Sequence, residues 1–417
     1  MKKKIFGQHE EKTLIQLDDV ASRAVRAALM ADGHLGYVMP IGGVAAYRNK
    51  VSVVGVGFDI ACGNAAIRTD LTTSGLLGME REELDANPHR VAASPVLNRL
   101  ADDLFHELSF GIGRKNLSDD APVDDPLFHD EAWWAIPNAG GFRDTLLEKA
   151  RVQLGTIGSG NHYVDVFADQ DGRIWVGVHF GSRGLGHTIA SAFLALSQGG
   201  DWGDRAREEE VLLDVREGIG HDYWALMNLA GRYAYAGREW VARKVVRMLG
   251  ATETELVHNH HNFAWREDHG GEEFIVVRKG ATPAFPGQKG FVGGSMGDDA
   301  VILQGAERAE GPSYDQVEAL FSTVHGAGRV MGRIAAKGKW KRGRQVKRGR
   351  ISHEMMNRWL GRKGVVLRGG DLDEAPQAYR RLPDVLAAQG ETVEVLHTLR
   401  PLVVCMAPGN TVDPYKD

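Results

Sequence analysis

The sequence predicts an α+β fold, and three observations carry that prediction. Val- and Ile-rich segments flanked by glycine recur along the chain. Clear helical periodicity is confined to a few places. The two kinds of segment do not alternate in the regular way that builds a doubly wound parallel sheet. Strands are predicted at Val51–Phe58, Ile174–Phe180, Phe274–Lys279, Val301–Leu303 and Val393–Cys405. The clearest helix runs from about Asp222 to Leu249. Its apolar residues Leu226, Leu229, Tyr233, Trp240, Val245 and Met248 recur at helical spacing, and Gly250 suits a C-terminal stop. Ser313 and Gln316 form a capping box ahead of Val317, Leu320 and Phe321, which predicts a helix running on into His325. Residues 111–140 read as a long polar excursion, either a surface lid or a loop.

The bulk numbers bound the function. A chain of 417 residues suits two or three domains or one large one. Hydrophobic content of 43% and charged content of 25% are ordinary for a soluble protein, and no apolar run approaches the roughly 20 residues of a membrane span. MKKKIFGQHEEK has a basic start with no apolar segment behind it, so no signal peptide is predicted. Two cysteines exclude a disulfide framework and point to a reducing, cytoplasmic setting. A formal charge of -5 gives no global attraction to nucleic acid, so any such contact needs a local basic surface.

One of the two cysteines, Cys62, lies in GVGFDIACG, three residues after Asp59. A lone cysteine is most often a buried apolar filler, and a lone histidine most often a satisfied polar residue. Here His162 (LGTIGSGNHYVDV), His179 (VGVHFGSRGLGH), His260 and His261 (HNHHNFAWRE) and His325 (STVHGAGRVMGR) all sit in segments that end a strand or adjoin a Gly/Ser turn. Carboxylate, thiolate and imidazole together suit Mn, Zn, Fe or Co, and a thiolate can bridge two ions. There is no HExxH and no CxxC to settle the matter by spacing.

The turns GTIGSGN, GSRGLG, VGGSMG and HGAGR offer backbone N–H groups that can cradle phosphate, although none is a phosphate-loop or dinucleotide fingerprint. Arg183, Arg329 and Arg333 lie beside them, as bidentate phosphate ligands or as partners of surface carboxylates. KGKWKRGRQVKRGR, Lys337–Arg350, holds eight basic residues and Trp340. It is a polyanion surface on which Trp340 stacks a base, or else a solvated loop.

The ordered series DGHLGYVMPIGG, GVGFDIACG, GTIGSGNHY, VHFGSRGLGH, HHNFAWRE, RKGATPAFPG, GGSMG, HGAGRVMGR, EAPQAYR and VEVLHTLRPLVV resembles RtcB-type RNA ligases from about residue 30 to about 406. The resemblance implies one α+β domain over 1–417, with β-sheets and surrounding helices enclosing a deep cleft for two metal ions. It implies that Asp59, Cys62, His162, His179 and His261 hold two Mn2+, with Cys62 bridging, while His260 is only a neighbour. It makes His325 the guanylylated nucleophile and Asp32 the acid that orients it. Asn161, Asp165, Asn262, Gly294, Ser295, Met296, Gly326, Ala327 and Gly328 fall on GTP contacts. Lys279, Arg183, Arg329 and Arg333 fall near phosphate or RNA.

The implied reaction joins RNA 3′-phosphate or 2′,3′-cyclic phosphate ends to 5′-hydroxyl ends, in tRNA splicing or RNA repair, with an archease-like activator as a partner the resemblance allows. A dinuclear metallophosphoesterase, or a non-sealing relative that binds or caps RNA ends, is the alternative. The chain departs from the family pattern at Asp165 (usually Glu), Gly293 (Pro), Ala300 (Ser), Gly332 (Ser) and Met406, where a guanine-contacting lysine is usual. The departures at Asp165, Ala300 and Met406 predict intact nucleotidyl chemistry and leave the strictness for GTP open.

Overall fold

Eight strands form the larger sheet of the computed structural model, which describes residues 2–341 and 344–409. Their order is Lys289–Val292, Ala300–Gly305, Val393–Pro408, Tyr163–Ala168, Arg173–Phe180, Gly63–Thr72 and Glu253–His260, with Val366–Gly370 running parallel to Val393–Pro408. A second sheet of five strands has the order Lys2–Ile5, Arg26–His34, Ile41–Tyr47, Glu273–Lys279, Asn262–Asp268. The chain passes from the edge of one sheet to the edge of the other at His261, the one residue between Glu253–His260 and Asn262–Asp268. The α+β class predicted from the sequence is the class observed.

The long helix spans Gly218–Met248, beginning four residues before the predicted start and ending where Gly250, at φ 64°, turns the chain. Leu226, Leu229, Tyr233, Val241 and Val245 are buried against the strands Gly63–Thr72 and Arg173–Phe180 and the helix Arg183–Ser197. Trp240 and Met248 lie half-buried at the margin of that face. Among the described residues no helix is long and apolar enough to cross a membrane.

Two predicted elements differ. Val51–Phe58 is a strand only at Lys50–Ser52; Val53–Val56 is a helical turn whose Gly55 N–H donates to Ser52 Oγ at 2.8 Å. A short buried apolar run reads alike in either conformation. The capping box at Ser313 and Gln316 forms, but its helix stops at Glu318. Leu320 and Phe321 take φ of 53° and 46°, and the strand Ser322–Val324, paired with Ala281–Pro283, carries the chain into His325. The excursion 111–140 is packed rather than free: Leu127, Phe128, Trp133 and Ile136 are buried, and Asp120 O accepts from Trp240 Nε1 at 2.9 Å.

Gly63 follows Cys62 between two paired strands, and a Cβ there would stand 2.2 Å from Asn259 O and 2.8 Å from His260 Cα. Because the obstacle is backbone, Gly63→Ala is expected to destabilise the protein by about 1–3 kcal/mol. The shift of the urea midpoint measures it; an unchanged midpoint would mean that these strands are free to separate.

Candidate metal and nucleotide site

The turn Asp59–Cys62 is closed by Cys62 N–H donating to Asp59 O at 3.0 Å, with Ala61 in the left-handed region at φ 61°. That conformation costs a non-glycine residue about 1–2 kcal/mol. It is held because Ala61 N–H donates to Asn262 O at 2.7 Å and Cys62 O accepts from His261 N–H at 2.8 Å. The turn is thereby fastened to the junction between the sheets. His179 arrives on the strand Arg173–Phe180, and His162 on the turn before Tyr163–Ala168.

Two donor groups result, Cys62/His179/His261 and Asp59/Cys62/His162, and in each the ligand atoms lie within 4.8 Å of one another. Cys62 belongs to both. Its Sγ is 3.3 Å from His179 Nε2 and 3.6 Å from His162 Nε2, and His162 Nε2 is 3.2 Å from Asp59 Oδ2. His179 Nδ1 donates to Asn161 O at 3.1 Å, which leaves Nε2 bare toward the sulfur. His162 Nδ1 lies 3.0 Å from Ile157 O and 3.2 Å from Arg183 Nη1. His261 Nδ1 is buried and finds no hydrogen-bond partner. These donors fit two borderline divalent ions sharing a thiolate.

Electrostatics agree with that fit. Burial pushes the Cys62 thiol well up, helped by the Asp59 carboxylate. Burial, then neighbouring histidines, hold His179 and His261 neutral, well below the usual range. Burial works to raise the Asp59 carboxyl, but hydrogen bonding and charge from His162, with Arg183 and Cys62, outweigh it and hold the group at about 2. A divalent cation is the charge that would stabilise the buried thiolate.

These groups line a cavity of about 1480 Å³, and so does every other predicted site residue except Asp32. Asp32 is fully buried behind His325: its Oδ2 accepts from His325 N–H at 3.0 Å and Gly326 N–H at 3.2 Å, and lies 2.6 Å from His325 Nδ1. Arg380 donates to Ala31 O at 2.5 Å and to Gly33 O at 3.2 Å, bracketing Asp32. His325 belongs to neither donor group, though its ring centroid is 4.9 Å from that of His261.

The remaining predicted residues have mixed settings. Lys279 Nζ donates to Val54 O at 3.0 Å, and burial pulls its pKa down to about 8. Arg183 takes φ 57°, and Gly158 leaves room for its guanidinium, since a Cβ there would fall 1.7 Å from Nη2. Arg329 and Arg333 line the cavity but are already paired with Glu374, and Arg333 also with Asp373 at 3.1 Å. Asn262 Oδ1 accepts from Gly280 N–H at 2.7 Å, and Ser295 Oγ donates to Asp298 Oδ2 at 2.7 Å. Asn161 is exposed and lines the cavity; the turns Gly294–Met296 and Gly326–Gly328 also line it, with Met296, Ala327 and Gly328 buried. Asp165 is buried with Oδ1 unpartnered, and its neighbour across the sheet is Val404, two residues before Met406. Ala300, by contrast, packs with Phe167 and Phe291 in the core and does not reach the cavity.

Lys337–Arg350 folds as a hairpin, Gly338–Lys341 against Arg344–Arg348. Arg350 N–H donates to Ala335 O at 2.9 Å, which ties its base to the cavity wall. Lys337 is spent on Asp371 at 2.9 Å, whereas Lys339, Lys347, Arg348 and Arg350 are exposed without an ion pair to a described residue. Arg342 and Gly343 and the side chain of Trp340 lie outside the described residues, and so does the tail from residue 410.

A family profile described as "RtcB: tRNA-splicing ligase RtcB" matches residues 16–407. The chain belongs to the RtcB family. It is 31% identical to "tRNA-splicing ligase RtcB" of Thermococcus kodakarensis, across 95% of this chain and 91% of that one. It is 30% identical to "RNA-splicing ligase RtcB" of Escherichia coli K12, across 91% and 89%.

As an RtcB protein it has contributors that reading the motifs alone passed over. His34 lines the cavity, its Nδ1 3.1 Å from Asp32 O, and burial pulls its pKa down to about 4. Its signal was its place two residues after Asp32. Arg380 and Glu374 were carried in the block EAPQAYR, quoted for resemblance but not read as chemistry.

His179, His258, His260 and His261 all have folded-state pKa values well below 6.5, chiefly through burial. The unfolded chain titrates near 6.5 and takes up protons that the fold excludes. Their contribution is therefore fully present above about pH 6.5 and is lost as pH falls, at up to ~1.4 kcal/mol per pH unit for each histidine. Urea titrations of chelator-treated protein at about pH 7.5 and about pH 5.5 should show that steep loss, and equal stabilities would refute it.

Proposed function

We propose that this chain is a GTP- and manganese-dependent RNA ligase that joins RNA 3′-phosphate or 2′,3′-cyclic phosphate ends to 5′-hydroxyl ends through GMP carried on His325. The observation that carries the reading is the histidine on Asp32, outside the two thiolate-sharing donor groups yet in one cavity with them. A phosphoesterase needs only the donors; a buried carboxylate aimed at a non-ligand histidine suits a nucleophile. The volume, about 1480 Å³, exceeds the ~300–1,000 Å³ usual for a small-molecule site, and so leaves space for RNA ends beside a nucleotide.

The manganese ions, on Asp59, Cys62, His162, His179 and His261, would supply Lewis-acid neutralisation of phosphate charge. The proposed reading assigns the protein's own residues these steps. Asp32 Oδ2, 2.6 Å from His325 Nδ1, would keep the ring proton on that nitrogen, so that the lone pair of His325 Nε2 attacks the α-phosphorus of GTP in line. The P–N bond forms, the bond to the β-phosphate oxygen breaks, and pyrophosphate leaves. An oxygen of the RNA 3′-phosphate then takes the guanylate and the P–N electron pair returns to Nε2. Water first opens a cyclic end to a 3′-phosphate. The 5′-hydroxyl finally attacks the activated phosphate, loses its proton and expels GMP. The two cysteines are free and buried, consistent with a cytoplasmic setting.

Incubation with α-labelled GTP and manganese should leave acid-labile, alkali-stable label on denatured protein, and none on His325→Ala. Asp32→Asn should lower the labelling rate about 10²–10³-fold by releasing the imidazole from its tautomer. No label from GTP, ATP or dGTP on metal-loaded protein would overturn the ligase reading. Among donors, the altered Asp165 and Met406 predict measurable labelling by ATP or dGTP, and strict GTP selectivity would refute that prediction.

For the basic hairpin, neutralising Lys339, Lys347, Arg348 and Arg350 together should reduce the slope of log affinity against log salt for single-stranded RNA by about 3, at ~0.7 per phosphate contact. An unchanged slope would return the hairpin to the role of a solvated loop.

A further inference from the structure

Among the described residues three buried arginines take no part in the reaction; Arg278 is paired with Glu267 and Arg400 with Asp85, and Arg238 is the exception. It lies two-thirds of the way along the helix Gly218–Met248, is 0% exposed, and has no carboxylate partner among the described residues. A buried guanidinium without a counter-charge is expensive unless its donors are all spent. Four of its five N–H donors are spent, and in an unusual way. Nη1 donates to Ala61 O at 2.9 Å and to Phe180 O at 2.6 Å. Nη2 lies 2.8 Å from His260 Nδ1, and Nε donates to His258 Nε2 at 2.8 Å. Ala61 precedes Cys62, Phe180 follows His179, and His260 precedes His261. One planar fork therefore holds the chain neighbour of each member of the Cys62/His179/His261 donor group.

We infer that Arg238 is the positioning residue of the thiolate-sharing site, setting the relative placement of Cys62, His179 and His261 from behind the sheet. The inference rests on reading those three residues as metal ligands. The parts around the fork are built for it. Ala61 is in the left-handed region, and its carbonyl points back at Arg238. The His260 ring is stacked on Tyr235 at 3.9 Å and lies 5.0 Å from Phe263, which fixes the direction of Nδ1. Both His258 and His260 act as acceptors toward Arg238 and so must be neutral at that nitrogen, in line with their burial. A lysine keeps the charge but cannot reach three separate elements at fixed angles.

The test uses full-length protein loaded with cobalt, whose thiolate-to-metal absorption and d–d bands report ligand geometry directly. Arg238→Lys and Arg238→Met are compared with the parent for cobalt spectrum, cobalt affinity against a competing chelator, and thermal unfolding of the metal-free form. Both variants are expected to shift the thiolate band and to bind cobalt ~10–100-fold more weakly, the usual cost of losing an outer-sphere orienting group. Should both fail to fold, His260→Asn and His260→Leu replace them. Asn keeps an acceptor where Nδ1 stood and should retain the parent spectrum, whereas Leu should not. Lower melting temperatures with spectrum and affinity unchanged would overturn the inference and leave Arg238 a fold element only. The same holds for parent-like spectra in both His260 variants. A parent that shows no thiolate band would overturn the metal reading itself, and this inference with it.

Discussion

The backbone crossing between the Asp59–Cys62 turn and the sheet junction at His261 is the constraint on which the site depends. Three hydrogen bonds make it: Ala61 N–H to Asn262 O at 2.7 Å, His261 N–H to Cys62 O at 2.8 Å and Asn262 N–H to the same oxygen at 3.3 Å. Because His261 alone links the strand Glu253–His260 of one sheet to Asn262–Asp268 of the other, a change in the relative tilt of these strands would move it against Cys62. Members of the two donor groups that are far apart in sequence thus converge through main-chain geometry. Such a site is precise because it is built on strand ends rather than on free loops.

The same burial that orders the donors works against their charged forms. A thiol pushed up by burial and by Asp59 must lose its proton to act as a ligand, so part of the metal's binding energy is spent on that deprotonation. His179 and His261 sit on the favourable side of this balance, burial holding both neutral before any cation arrives. Metal affinity then depends on pH mainly through Cys62, while the fold's acid sensitivity comes from the histidines. The two dependences therefore have different physical origins.

How much of this was legible in the sequence varied with what each signal encodes. The donors Asp59, Cys62, His162, His179 and His261 were readable because glycine-flanked segments in a fixed order carried them, and the cavity gathers them together. The capping box at Ser313 announced where a helix starts, but nothing local showed that it would last five residues. Its end is set by Leu320 and Phe321 in left-handed conformations, a tertiary demand that placed His325 on a strand end. Val51–Phe58 misread because a buried apolar run has no polar face to reveal its period. For Arg329 and Arg333 the sequence left phosphate binding and carboxylate pairing open, because their partners Asp373 and Glu374 lie 40 or more residues further along the chain. Arg238 gave no signal, since an arginine inside a long helix is ordinarily solvated.

The departures from the family pattern at the base-contact end are one physical change rather than several. Asp165 and Met406 lie on the paired strands Tyr163–Ala168 and Val393–Pro408, with Asp165 opposite Val404 and Met406 opposite Tyr163. Both line the cavity, while Ala300 lies in the core and takes no part. Where the family resemblance implies a glutamate and a terminal lysine, this chain has a shorter carboxylate and a thioether. Without the cation, burial pushes the Asp165 carboxyl well up, and its Oδ1 is left unpartnered. A protonated carboxyl donates as well as accepts, whereas the carboxylate–ammonium pair offers a separate, fixed acceptor and donor. The two substitutions therefore compensate each other electrostatically, since a lone ionised aspartate beside Met406 would be far costlier to bury. Under the proposed function, their combined effect would fall on base selection, because His325 is carried on a different support, the end of the strand Ser322–Val324.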